Sequence, residues 1–449
     1  MRASHCLTMD RSVSQLSDPG AWMIECFVAG WLALMPVNSF VLIPSVQGTT
    51  PAYLFAFASV GLVFLPGYSA ATTEVRRGYL KAIVCLLLVW TLNLCVSQMV
   101  NLASPPDYLW TATLINPDDT RAAFRSTIIT QSIYLAACVS VFLFFRYQFQ
   151  ERWWKYVFWG AWLLAIYGVY EWVYFLIFQT PGDFLANRSY ADTPGSWSQT
   201  LDFGGRSLLR IKSTQGEPSF LSVVVLPYLY LATEQRRRLL AAVLLFVAIF
   251  STSTSAFFGL AFGAIVTALF RRKLTGRDML LVGCIVTALS VCYFVFPDIY
   301  ANLFSDKLAG VTDSGQKRQF SPLGVVEAFF ELPPLQWFSG VGFGYTYSNV
   351  GISLLFNCGL SGFALFAFGF LFPVFRLPSS ARGIALKTGL AVMFFLFLIS
   401  VAELFLPTTW MFLGLAYRQL ARPADSAERS TQFKSIGPPV DSYLPTGES

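Results

Sequence analysis

Histidine is almost missing from this chain, with His5 the single example in 449 residues. One imidazole beside the N-terminus sets aside His-ligated metal catalysis and His general-base chemistry elsewhere in the protein. Charge is scarce as well. Charged residues make up 12% of the chain and hydrophobic ones 55%, with a mean hydropathy of +0.56. A soluble domain carries about twice that share of charge, so the composition excludes two or three soluble domains. No CxxC pair occurs. Cys26, Cys85, Cys95, Cys138, Cys284, Cys292 and Cys358 fall in apolar runs and Cys6 precedes them, which predicts free thiols rather than a disulfide frame.

Apolar runs of membrane-spanning length recur from end to end. They cover 22–43, 52–67, 79–100, 126–145, 156–178, 217–233, 239–251, 255–270, 279–296, 346–372, 388–405 and 407–420. The expected fold is therefore all-α: a polytopic integral membrane protein of about twelve transmembrane helices. Connections between the runs alternate in charge. Arg76, Arg77 and Lys81, then Arg146, Arg152 and Lys155, then Arg236 to Arg238, Arg271 to Arg277, and Arg376 to Lys387 mark one side. The connections at 44–51, 252–255 and 406–407 hold no Lys or Arg. This is the positive-inside pattern, and it puts both termini in the cytoplasm. Residues 1–20 read as a cytoplasmic tail without a cleavable signal, 21–421 as the membrane domain, and 422–449 as a disordered cytoplasmic tail.

Three long loops fall outside: 101–125, 179–216 and 297–345. The net charge of +6 is mostly topological and calls for no nucleic-acid partner. Nine cations nevertheless lie in the outer loops, where the topology does not require them. Arg188, Arg206, Arg210 and Lys212 cluster before Glu217-Pro218-Ser219, which reads as a helix start with Pro where an amide is dispensable. Such clustering fits an anionic ligand at the outer boundary, while any one of these charges alone reads as a solvated loop residue. Lys317 and Arg318 precede an amphipathic stretch at 321–332, closed by Pro333 and Pro334. Gly340-Val341-Gly342-Phe343-Gly344 then leads into the next run, a turn able to approach a ligand closely. Ser251 to Ser255 forms a hydroxyl-rich break between two short runs, most simply satisfying backbone groups there. Glu25, Glu171 and Glu403 sit in or near apolar runs, where carboxylates are functional candidates.

Taken in order, these features resemble the Wzy-type O-antigen and polysaccharide polymerases, whose superfamily includes the O-antigen ligases. Arg210 through Glu217-Pro218-Ser219 resembles the family's Arg followed by an E-P-[SN] helix start. The STSTSA break resembles its hydroxyl-rich turn, without the Arg often found there. Arg318, an aromatic stretch and SGVGFG resemble its third motif. The resemblance implies a GT-C-like glycosyltransferase without cofactor or metal. The substrate would be oligosaccharide on undecaprenyl diphosphate at the outer face of a bacterial inner membrane. Arg210 and Arg318 would stabilise the leaving diphosphate, and Glu217 would serve as base. Arg206, Lys212, Lys317 and Arg188 would be supporting cations. A flippase and a chain-length regulator would be partners, besides membrane lipid. A ligase is the alternative within the superfamily, disfavoured by the lack of an outer-loop histidine. A transporter or flippase for lipid-linked sugar is the alternative from another class.

Overall fold

The computed structural model describes residues 19–44, 48–64, 72–105, 115, 116, 118, 119, 121–188, 199–203, 206–271, 283 and 329–435. The described residues are mostly helical. In chain order the elements are α1 (Pro19–Leu34), α2 (Pro51–Phe64), α3 (Thr73–Ala103), α4 (Thr127–Tyr147) and α5 (Trp154–Phe178), the last entered through a 3-10 turn at Glu151–Trp153. A hairpin of β1 (Thr200–Phe203) and β2 (Arg206–Leu209) follows. Then come α6 (Pro218–Glu234), α7 (Arg238–Phe250), α8 (Thr254–Arg271), the short α9 (Pro334–Ser339), α10 (Val350–Arg376), α11 (Ala381–Ile399) and α12 (Pro407–Ser435).

Six of these helices are long and apolar enough to cross a membrane: α3, α4, α5 with its leading turn, α8, α10 and α11. Four shorter apolar helices, α1, α2, α6 and α7, accompany them. In a bilayer every backbone amide needs an internal partner, which is why apolar segments of this composition become helices and not strands. The helix starts are written in the sequence. Thr72 Oγ1 accepts from the Val75 amide ahead of α3, Asn349 from Ile352 ahead of α10, and Ser380 from Gly383 ahead of α11. Pro218 and Pro334 occupy first-turn positions of α6 and α9.

Several sequence expectations fall outside the described residues, among them the tail at 1–18, the run at 279–296 apart from Gly283, and the amphipathic stretch apart from 329–332. Helix α12 runs on to Ser435, into the 422–449 segment that the sequence reads as a tail.

The centre of the molecule is α6. From Pro218 to Ala232 all its residues are buried, enclosed by α7, α8 and α11. Close approach is made possible by glycine on α8. Tyr230 donates to the carbonyl of Leu260 at 3.1 Å, and its ring lies where a side chain on Gly263 would have to be.

One helix is broken. Within α10, Gly359 has φ 66 and ψ −172, a conformation open essentially to glycine alone. The break frees the carbonyls of Phe356 and Asn357, and the glycine-rich loop takes them up. Val341 donates to Phe356 at 2.8 Å and Gly342 to Asn357 at 3.1 Å. Gly340 (φ 71, ψ −178) lies against this break, and its Cβ would overlap the Asn357 carbonyl. A Cβ on Gly359 would stand 2.6 Å from the Gly340 amide nitrogen. Gly340→Ala and Gly359→Ala are each expected to cost about 1–3 kcal/mol in backbone strain, with steric overlap added. Thermal unfolding of the detergent-purified variants checks this; an unchanged melting temperature for both would contradict the interlock.

Candidate functional site

Helix α5 carries Glu171 and ends at Gln179, whose φ of 55 turns the chain back. Pro181 and Gly182 then deliver Asp183. Its Oδ1 accepts from the Tyr167 hydroxyl at 2.8 Å and from the amides of Leu185 and Ala186 at 3.0 Å. Its Oδ2 is ion-paired with the ammonium of Lys212. Glu171 Oε1 lies 3.7 Å from the same ammonium, and its Oε2 accepts from the amides of Lys212 and Ser213 at 3.2 and 2.8 Å. Lys212 is fully buried. It is an internal counter-charge between two carboxylates, whereas the sequence predicted a ligand-facing cation.

Around this triad three segments are stitched together. After α1, Asn38 and Ser39 donate to the Thr214 carbonyl at 3.0 Å, and the amides of Asn187 and Arg188 donate to Ser39 at 3.1 and 3.0 Å. The Asn187 side chain accepts from the Val41 amide and donates to its carbonyl, at 2.7 and 2.8 Å. Gln215 accepts from Asn38 at 2.7 Å and donates to Pro36. Ser213, at φ 52, anchors its hydroxyl on the Leu164 carbonyl at 2.7 Å. The result is a buried polar layer from which α6 starts. Arg188 belongs to it, buried, with its guanidinium 3.7 Å from Glu403 and 3.3 Å from the Asn38 carbonyl. Lys212 and Arg188 thus hold the layer together by charge.

Arg210 stands at the layer's edge, half-buried. Its amide donates to the Gln199 carbonyl at 2.9 Å, and its guanidinium to the Gln199 side chain. The other edge reaches the hydroxyl-rich break between α7 and α8. Nε donates to Thr252 Oγ1 at 3.1 Å and an outer nitrogen to the Thr252 carbonyl at 3.3 Å. The Ile211 amide donates to Phe250 at 3.1 Å. Thr252 holds φ 45, rare for a β-branched residue, so the break is strained where it receives Arg210. Two motifs that the sequence separates by forty-odd residues are here one object. Glu217 caps α6 without a side-chain cap bond and accepts from the Ser219 hydroxyl at 2.9 Å. Arg206 lies on β2 opposite Phe203 at the hairpin's turn. Lys317 and Arg318 lie outside the described residues.

Asp183 was not anticipated from the sequence. Its one local signal is the Pro-Gly turn before it, and nothing there points to Lys212. Among the described residues, no three His, Cys, Asp or Glu side chains converge as metal ligands would. Fold and site together define a helical, membrane-embedded protein with a charge-stapled polar layer at one end of its helices. No protein family, curated protein or solved structure matches the chain.

Proposed function

We propose that this chain is a polysaccharide polymerase of the Wzy type, with about twelve spans and its three long loops outside. In this reading it takes a growing glycan from undecaprenyl diphosphate and joins it to the non-reducing end of a new lipid-linked repeat unit. The acceptor hydroxyl oxygen attacks the anomeric carbon, and the bond from that carbon to the diphosphate oxygen breaks. The electron pair leaves with the diphosphate, and the acceptor proton passes to Glu217. Charge builds on the diphosphate oxygens as that bond breaks, and a planar guanidinium meets it with two parallel donors. Arg210 and Arg318 take this role, with Arg206 and Lys317 as supporting cations.

The observation that supports the reading is the seat of Arg210. Its guanidinium is fixed by Thr252 and the Gln199 side chain beside the start of α6. A donor fixed in advance need not reorganise when charge develops, and such preorganisation makes electrostatic stabilisation effective. Two of the three resembling motifs supply that seat. A flippase and a chain-length regulator are the expected partners, in a bacterial inner membrane.

A transporter of lipid-linked sugar is the second reading. The broken α10 and the buried Glu171–Lys212–Asp183 group favour it, since interrupted helices and interior charges are transporter features. The length distribution of lipid-linked glycan in a deletion strain separates the readings. The polymerase reading expects single repeat units on the outer leaflet and no polymer. Units trapped on the cytoplasmic leaflet would install the transporter. Full-length polymer stranded on its carrier would mean a ligase.

A further inference from the structure

Arginine stays protonated at any accessible pH, so a buried guanidinium must be answered by hydrogen bonds and, in a functioning state, by an anion. Lys212 has Asp183 and Glu171, and Arg188 has Glu403. Lys387 lies over the Phe270 ring. Arg125 differs from all three. It is 2% exposed, yet one of its terminal nitrogens is enclosed with no hydrogen-bond partner among the described residues. Its Nε donates to the Arg121 carbonyl at 2.7 Å, and its guanidinium carbon lies 4.7 Å from the centre of the Tyr345 ring. No carboxylate among the described residues comes within ion-pairing distance.

The surroundings are built rather than incidental. Arg125 immediately precedes Ser126, the cap residue of α4. Phe124 before it is held at φ 54, its amide on Gln98 Oε1 of α3 at 2.7 Å. The same Gln98 oxygen accepts the Tyr345 hydroxyl at 2.6 Å. Asn101 of α3 donates to Val341 of the glycine-rich loop and to the Ala122 carbonyl at 3.0 Å. Two side chains of α3 thereby fix both the segment bearing Arg125 and the loop that covers it. The Thr127 hydroxyl, two residues on, is likewise enclosed without a partner. Asp119, the nearby carboxylate, is engaged elsewhere. It pairs with Arg121 at 2.7 Å and accepts from the Ser126 amide at 3.0 Å. The Arg121 hydrogen bond holds its carboxyl well below the usual carboxylate range.

Because α3 and α4 are both membrane-crossing candidates, their junction lies at a membrane–water boundary. The anion concentrated at that depth is phosphate, from lipid headgroups or from the diphosphate of a polyprenyl carrier. We infer that Arg125, with Tyr345 beneath it, is a binding site for a phosphate-type oxyanion at the α3–α4 junction. The site is separate from Arg210 and does not depend on the polymerase reading.

The test uses the full chain in phosphatidylcholine nanodiscs. Binding of inorganic pyrophosphate and of farnesyl diphosphate is measured for the wild type, R125K and R125Q, and nanodiscs containing phosphatidylglycerol form a third arm. R125Q is expected to bind roughly tenfold more weakly or worse, with R125K in between. Loss in the two soluble arms identifies a diphosphate site; loss of phosphatidylglycerol retention alone identifies a headgroup site. R125Q with wild-type affinity in every arm overturns the inference, as does a wild type that binds none of the three. Should R125Q not be recovered folded, arginine-labelled wild type carries the test by nitrogen NMR. Pyrophosphate, farnesyl diphosphate or phosphatidylglycerol must move the Arg125 signal, assigned by its loss in R125K, and a signal that stays in place with all three overturns the site.

Discussion

Arg210→Ala is expected to abolish long polymer in cells while single lipid-linked repeat units accumulate and the protein itself remains in the membrane. The guanidinium is one electrostatic donor toward a leaving diphosphate, and removing such a donor costs about 3 kcal/mol of barrier, on the order of a hundredfold in rate. Polymer length amplifies the defect, because each added repeat requires another transfer. Arg210→Lys keeps the charge but loses the fork that reaches both Thr252 and Gln199, so it should rescue only in part. Glycan ladders resolved on gels, normalised to protein in the membrane, give the readout. Ladders of normal length and amount from Arg210→Ala would remove Arg210 from the site.

Lys212→Ala should act differently, through the fold. Truncation leaves Glu171 and Asp183 facing each other in a buried layer without their cation. Breaking a buried pair in this way costs about 3–5 kcal/mol, a large fraction of the stability of most domains. Little folded protein should be recovered. A second change distinguishes this from loss of a ligand contact. Adding Asp183→Asn to Lys212→Met removes a surplus negative charge while keeping the oxygen that accepts from Leu185 and Ala186. Folded yield should rise above that of Lys212→Met alone. If Lys212→Ala instead melts like the wild type and binds substrate weakly, the residue is the ligand-facing cation the sequence predicted.

The contrast between these two residues shows how far the sequence could be read. They are two positions apart in one cation-rich loop, and nothing local separates them. What does is Asp183, 29 residues earlier, and Thr252, 42 residues later. Positive-inside reasoning assigned the loop a side but could not say which cation turns inward, since that depends on contacts between segments. Helical class and most helix positions were accessible because bilayer physics writes them as apolar runs. The break at Gly359 was not, since 346–372 reads as one continuous run and glycine in it carries no label. The glycine-rich loop was recognised as a turn, while its real partner, the opened helix, was invisible. Six helices have the length for an ordinary crossing, and the shorter apolar ones look the same in sequence as these.

Helices α3 and α11 are similarly apolar, yet 17% of the apolar stretch of α3 is buried within the protein against 72% for α11. The consequence is mutational tolerance. Where Leu87 or Leu92 of α3 is shortened, lipid chains fill the vacated volume, so no cavity forms. Where Leu390 or Met393 of α11 is shortened, only neighbouring side chains can move in, at about 2–5 kcal/mol. Exchanges among apolar residues should therefore be tolerated along the lipid-facing part of α3 and resisted along most of α11.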